Sequence, residues 1–163
     1  MLKHVLVPLD GSKLAEEALD YAREVVAPDG KISLVCAIEV NDPPAYGYYA
    51  PVTMPDNEAT KNELLPIAQH YLEGLASDLN KDGIKARFEV SIGDPVTVIS
   101  ETAERLHVDA IVMSTHGRSG ISRFIFGSVT NKILGTKICP VFVIPSKSNL
   151  AHERPVKASA HIN

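Results

Sequence analysis

The sequence lacks any apolar stretch long enough to cross a bilayer; its longest runs, such as Val141-Phe142-Val143-Ile144, have the length of a strand. No membrane insertion is expected. It opens on Met1-Leu2-Lys3-His4 and a short apolar run ending in Pro8-Leu9-Asp10-Gly11, without the long apolar region or small-residue cleavage site of an export signal. Cysteine is scarce. Cys36 and Cys139 each lie in or beside an apolar run and form no C-x-x-C pair, so free thiols in a reducing compartment are expected, and the cytoplasm fits. Positive charge is not in excess: the formal net charge is -4, which removes the electrostatic footprint of a general nucleic-acid binder. Also missing are internal repeats, low-complexity tracts, a G-x-x-x-x-G-K-[ST] loop, and a carboxylate pair placed to hold catalytic Mg²⁺. The last two absences weigh against an enzyme of phosphoryl or adenylyl transfer.

What is present is a globular composition, 45% hydrophobic and 22% charged over 163 residues, enough for one core and too short for two ordinary domains. Val5-Leu6-Val7 reads as a strand, followed at helical spacing by Ala15, Ala18, Leu19, Ala22, Val25 and Val26. Ile32 to Ile38 reads as a second strand, bounded by the turn signals Asp29-Gly30 and Asn41-Asp42-Pro43-Pro44. Leu64, Ala68, Leu72, Leu75 and Leu79 give a long amphipathic helix that stops at Lys81-Asp82-Gly83, with Pro66 in its first turns or at a kink. In the third strand Ile84, Ala86, Phe88 and Val90 alternate with Lys85, Arg87 and Glu89, which predicts one wet face and a place at a sheet edge. Asp94-Pro95 supplies an N-cap and an N1 proline for a helix carrying Val96, Ile99, Ala103 and Leu106. Ala110 to Met113 is a fourth strand, Ser128 to Leu134 a short helix closed by Gly135, and Val141 to Ile144 a fifth strand. The polar, aperiodic segment 146–163 reads as a flexible C-terminal tail, leaving 1–145 as the domain.

Strands alternating with helices predict an α/β fold: a single doubly wound, Rossmann-like domain around a five-stranded parallel sheet. Such sheets bind ligands beyond the carboxyl ends of their strands, where the strand order reverses, so the loops after the first and fourth strands hold the candidate site. The loop after the fourth strand carries Gly117, Gly120 and Gly127, residues that admit positive φ and close backbone approach, and Gly127-Ser128 opens a helix whose free amides and dipole favour an anion. Ser128 and Thr130 can add hydroxyl donors to a phosphate chain, and Arg118 or Arg123 charge. The same glycines would serve equally to punctuate a loop whose helix Ser128 caps. Asp10, after the first strand, is placed to accept from a sugar hydroxyl or amino group, or else to cap the helix starting near Ser12. His116 lies in the glycine loop, but six scattered histidines without ligand spacing argue against a metal site or a triad. The tyrosines of 43–51 read as a surface excursion.

The loop resembles the universal stress protein pattern of Gly, two residues, Gly, nine residues, Gly, then Ser or Thr. Gly117, the residues 118–126, Gly127 and Ser128 match it, and Ser114 stands where ATP-binding members carry the first glycine. The likeness covers 1 to about 145, including Val7-Pro8-Leu9-Asp10-Gly11-Ser12 and Cys139-Pro140-Val141-Phe142-Val143-Ile144. It implies a strand order 3-2-1-4-5 and a stress-response regulator that binds ATP, ADP or AMP, with Mg²⁺ or Mn²⁺ reached only through the phosphates. It implies adenine or ribose contacts from Pro8, Leu9, Asp10 and the backbone near Ala37, and ribose contacts from Met113, Ser114 and Gly117. Phosphate contacts would come from Gly127, Ser128, Val129 and Thr130, with Arg118 and Gly120 in the same loop. It also implies a homodimer through Val141, Phe142, Val143 and Ile144, whose apolar edge lacks the charges that guard natural edges. Two alternatives remain at this point: a domain of this type that acts through protein contacts alone, which Ser114 favours, and a weak ATPase or nucleotidyl-transfer enzyme.

Overall fold

The structure, a computed structural model, describes residues 1–39, 58–114 and 127–145. In chain order the elements are β1 (Leu2–Pro8), α1 (Lys13–Val25), β2 (Val26–Ile38), α2 (Glu58–Lys81), β3 (Lys85–Ile92), α3 (Pro95–Leu106), β4 (Ala110–Ser114), α4 (Ser128–Thr136) and β5 (Val141–Ile144). The strands form one parallel sheet in the order β3-β2-β1-β4-β5, as the sequence implied.

Two cores, one on each face, hold the layers together. On one face Val5, Val7, Ile32, Leu34 and Cys36 meet Ala18 and Leu19 of α1 and Ala68, Leu72 and Leu79 of α2. On the other Leu6, Val35, Ile111 and Met113 meet Val98, Ile99 and Ala103 of α3 and Ile133 of α4. A strand buried on both faces has no polar side to show, which is why β1, β2 and β4 read as continuous apolar runs. Truncating a fully buried side chain such as Leu72 to alanine would cost about 2–5 kcal/mol.

Local chemistry sets the helix ends. The Ser12 hydroxyl accepts from the Ala15 amide at 3.1 Å, and Asp94 Oδ1 accepts from the Thr97 amide at 2.9 Å, capping α1 and α3. Pro66 stands inside α2, at its ninth residue, rather than in the first turns; it forfeits the amide bond to the carbonyl of Asn62, an exposed residue whose carbonyl water can reach. Gly135 does not close α4: the helix runs on to Thr136, and Lys137, at φ 56°, takes the left-handed position.

Two other expectations change. The chain from Val26 to Gly30 is not a turn but the start of β2, which slips register between Leu2 and His4. Gly30 permits this because a Cβ there would lie 2.9 Å from the Lys3 carbonyl oxygen. Nor does β3 have a clean wet face: Glu89 is drawn under α3, where its Oε1 accepts from Thr102 Oγ1 at 2.7 Å and Arg105 Nη2 at 2.6 Å, while Phe88 on the α2 side stays 38% exposed. Among the described residues no helix is long and apolar enough to cross a membrane.

Candidate functional site

In a parallel sheet every strand ends at the same rim. From β1 the chain winds outward to β2 and β3, then crosses back to lay β4 on the other side of β1, so the order reverses between β1 and β4. The helices that follow these two strands, α1 and α4, pack on opposite faces of the sheet, and it is at such a reversal that doubly wound sheets form their ligand crevice. Continuing the pairing of Val5 with Ala110 and Leu6 with Ile111 sets Pro8 level with Met113.

The β1 side of the crevice is a tight turn. Leu9 is buried and its amide extends the ladder, donating to the Val35 carbonyl at 2.8 Å. Gly11, at φ 79°, then reverses the chain in a conformation that a side chain would strain. Asp10 Oδ1 accepts from both the amide (3.0 Å) and the hydroxyl (2.6 Å) of Ser12. Asp10 is therefore not the cap of α1 but the acceptor that aims the cap, in a relay from Ala15 N–H through Ser12 O–H to the carboxylate. This also places a negative charge at the positive end of the α1 dipole. Tyr71 of α2 donates to Glu16 Oε1 at 3.2 Å, and its phenol is pushed well above its usual range, first by burial and then by the Glu16 charge. Ala37 is half-buried near the end of β2, two residues beyond the Val35 that pairs with Pro8.

On the β4 side, Met113 and Ser114 are buried and pair with Val143 and Ile144 of β5. The α4 helix begins opposite them. Its N-cap is Gly127, at φ -57° and ψ 159°, so the left-handed freedom anticipated for this glycine is not used. What distinguishes it is the missing side chain: α1 and α3 have capping oxygens, whereas α4 has neither a side-chain cap nor an acid in its first turn. The amides of Ser128, Val129 and Thr130 have no intrahelical acceptor, and amides in that position can serve an anion. Ser128 is exposed and Val129 half-buried. Thr130 is fully buried, and its hydroxyl points toward the Ser114 carbonyl in a long contact of 3.4 Å where α4 meets β4. The periodicity that could have revealed this is short, Thr130 and Ile133 forming the buried stripe of the helix.

Pro8, Leu9, Asp10, Ala37, Met113, Ser114, Gly127, Ser128, Val129 and Thr130 thus all lie at or just past the carboxyl ends of β1, β2 and β4, or in the first turn of α4. Gly117, Arg118 and Gly120, with His116 and Arg123, lie outside the described residues. The sequence reading missed the Leu9 amide and the part of Ser12 in the relay, although Ser12 three residues before Ala15 is itself a capping signal. A separate open groove of about 450 Å³, lined by Glu73, Ala76, Asn80, Arg87 and Phe88, lies between α2 and β3, away from this crevice.

Residues 1–145 match the model of the universal stress protein family. Universal stress protein MJ0531 of Methanocaldococcus jannaschii is 28% identical, the alignment covering 88% of this chain and 82% of that protein. The solved structure of MJ0577, a universal stress protein of the same organism, superposes with a TM-score of 0.71 at 26% identity, covering 89% of this chain and 96% of its own. A universal stress protein family protein of Arabidopsis thaliana, solved with AMP bound, shares the fold with a TM-score of 0.60 at 17% identity, over 95% of this chain and 97% of its own. With the family model spanning both strands of the crevice and the start of α4, the chain belongs to the universal stress protein family.

Proposed function

We propose that this chain is a stress-response regulator whose ligand is an adenine nucleotide, ATP, ADP or AMP. The observation that carries this reading is the start of α4, which among the described residues has neither a side-chain cap nor an acid in its first turn. The family membership and the AMP bound by the Arabidopsis relative support it. Pro8, Leu9, Asp10 and the Ala37 backbone would hold the adenine or ribose, with Met113, Ser114 and Gly117 beside the sugar. Gly127, Ser128, Val129 and the Thr130 amide would take the phosphates, joined by Arg118 and Gly120. Mg²⁺ or Mn²⁺ would be bound through the phosphates.

The same reading covers assembly. β5 lies at the sheet edge with Phe142 41% exposed, and it would pair with the β5 of a second copy across a two-fold axis. Residues 1–145 would form the domain, 146–163 a tail, and the cytoplasm the working compartment. A second reading, a family member that works through protein contacts alone, is favoured by Ser114 in place of glycine. Mass spectrometry of small molecules released from the purified, denatured protein separates the two. Adenine nucleotide near one per chain is expected. Its absence, together with no heat on titrating ATP, would leave the second reading.

A further inference from the structure

At the opposite rim of the sheet a titratable side chain is buried outside the candidate site. His4 is 5% exposed, on the β1 face shared with Leu6 and beneath α3. Its Nε2 lies 2.8 Å from Ser33 Oγ of β2, and the ring also faces the Leu106 carbonyl at the end of α3. That carbonyl can only accept, so the tautomer with its proton on the nitrogen nearer Leu106 leaves Nε2 to accept from the Ser33 hydroxyl. In the neutral form Nε2 can accept from the Ser33 hydroxyl as it stands; in the protonated form the same hydroxyl has to turn and accept instead. The backbone here is equally bound: Asp109 Oδ2 accepts from the amides of Lys3 (2.6 Å) and His4 (2.8 Å), and the Asp109 amide returns to the His4 carbonyl at 2.8 Å.

We propose that His4 is an acid-operated latch, fastening β1 to β2 and to the end of α3 while its ring is neutral and loosening that join when the ring takes up a proton. A second ring proton turns Nε2 into a donor facing a hydroxyl that must redirect its own hydrogen within a site where Ser33 is only 6% exposed. Lys31 of β2 and Arg87 of β3 face the ring and repel its charge. Asp109, before β4, attracts it, although Oδ2 already serves two amides. From α3 the facing group is the Leu106 carbonyl. Burial first, and Lys31 second, hold the imidazole below its ordinary 6.5. The sign follows: between the folded value and 6.5 the unfolded chain binds the extra proton and the folded chain does not, so stability is full above 6.5 and falls as pH drops through this window.

The test uses the full chain. Ring resonances of His4 are followed by NMR from pH 7.5 to 5, and urea unfolding is measured at both ends for the wild type and His4→Gln. The unfolding constant of the wild type should rise by about threefold or more beyond that of His4→Gln, since each unit of depression is worth about tenfold. Amide exchange at Lys3, His4, Val108 and Asp109 should quicken relative to Val7 and Val112 after correction for intrinsic rates. A ring that titrates at or above 6.5, or equal pH dependence in the two proteins, overturns the proposal. If His4→Gln does not fold, Ser33→Ala decides: losing the donor to Nε2 should raise the ring pKa, and an unchanged value overturns it.

Discussion

Replacing Asp10 by alanine separates the two tasks that its carboxylate is positioned to perform. The carboxylate accepts two hydrogen bonds from Ser12, at 3.0 and 2.6 Å, while half-buried at the start of α1. Bonds to a charged acceptor are worth about 1.5–3 kcal/mol each when dry and less with water nearby, so together about 2 kcal/mol of stability should be lost. At roughly 2–4 °C per kcal/mol for a chain of this size, the melting temperature should drop by about 4–8 °C. Ser12→Ala removes the cap itself and should cost about 1 kcal/mol. Both variants therefore lose stability, Asp10→Ala more than Ser12→Ala, and ligand binding separates them further. If Asp10 also holds the nucleotide, Asp10→Ala should weaken ATP by about ten- to a hundredfold, while Ser12→Ala stays within about threefold. Urea unfolding without ligand gives the first quantity and isothermal calorimetry the second. An Asp10→Ala protein that is destabilised yet binds ATP as the wild type does would reduce this residue to a support for the cap.

Gly127→Asp should raise stability by about 0.3–1 kcal/mol, because φ -57° suits any residue and aspartate is a favoured cap, while lowering ATP affinity at least tenfold by setting an anion where phosphate would sit; a variant that gains stability and keeps its affinity would refute the phosphate assignment. His107→Gly should stabilise by about 1 kcal/mol, since His107 ends α3 in the left-handed region at φ 48°, and thermal unfolding would reveal no gain if that strain were absent. Val143→Lys should yield monomer or insoluble protein in sedimentation velocity, against a dimeric wild type; a wild type that sediments as a monomer at micromolar concentration ends the β5 proposal.

The order of elements and the sheet topology were legible because each strand and helix carries its own period, and because alternation of the two admits few windings. The candidate crevice was legible for the same reason: topology alone names the rim and the pair of loops. Side-chain direction was not. Thr130 in the first turn of α4 has the same sequence signature whether its hydroxyl meets solvent or folds back on Ser114, and only the packing of Ile133 against the sheet decides. Helix ends failed where glycine was expected to do what Lys137 does, the left-handed position being held by the residue leading into β5 rather than by the best local former. The early start of β2 escaped because Asp29-Gly30 is a turn signal in isolation, while in the fold Gly30 is where two backbones approach.

The two rims of the sheet along its width are unlike. β3 carries the exposed cations Lys85 and Arg87, and Lys85 is already paired in register beside Lys31 of β2, like against like. β5 carries only Val141, Phe142, Val143 and Ile144. Parallel addition of the β5 of one copy to the β3 of another would continue the sheet without end, and each such join would strip water from two cations to set them against valine and phenylalanine. Lateral growth into a fibre is thus obstructed by the charged β3 edge, whatever pairs with β5.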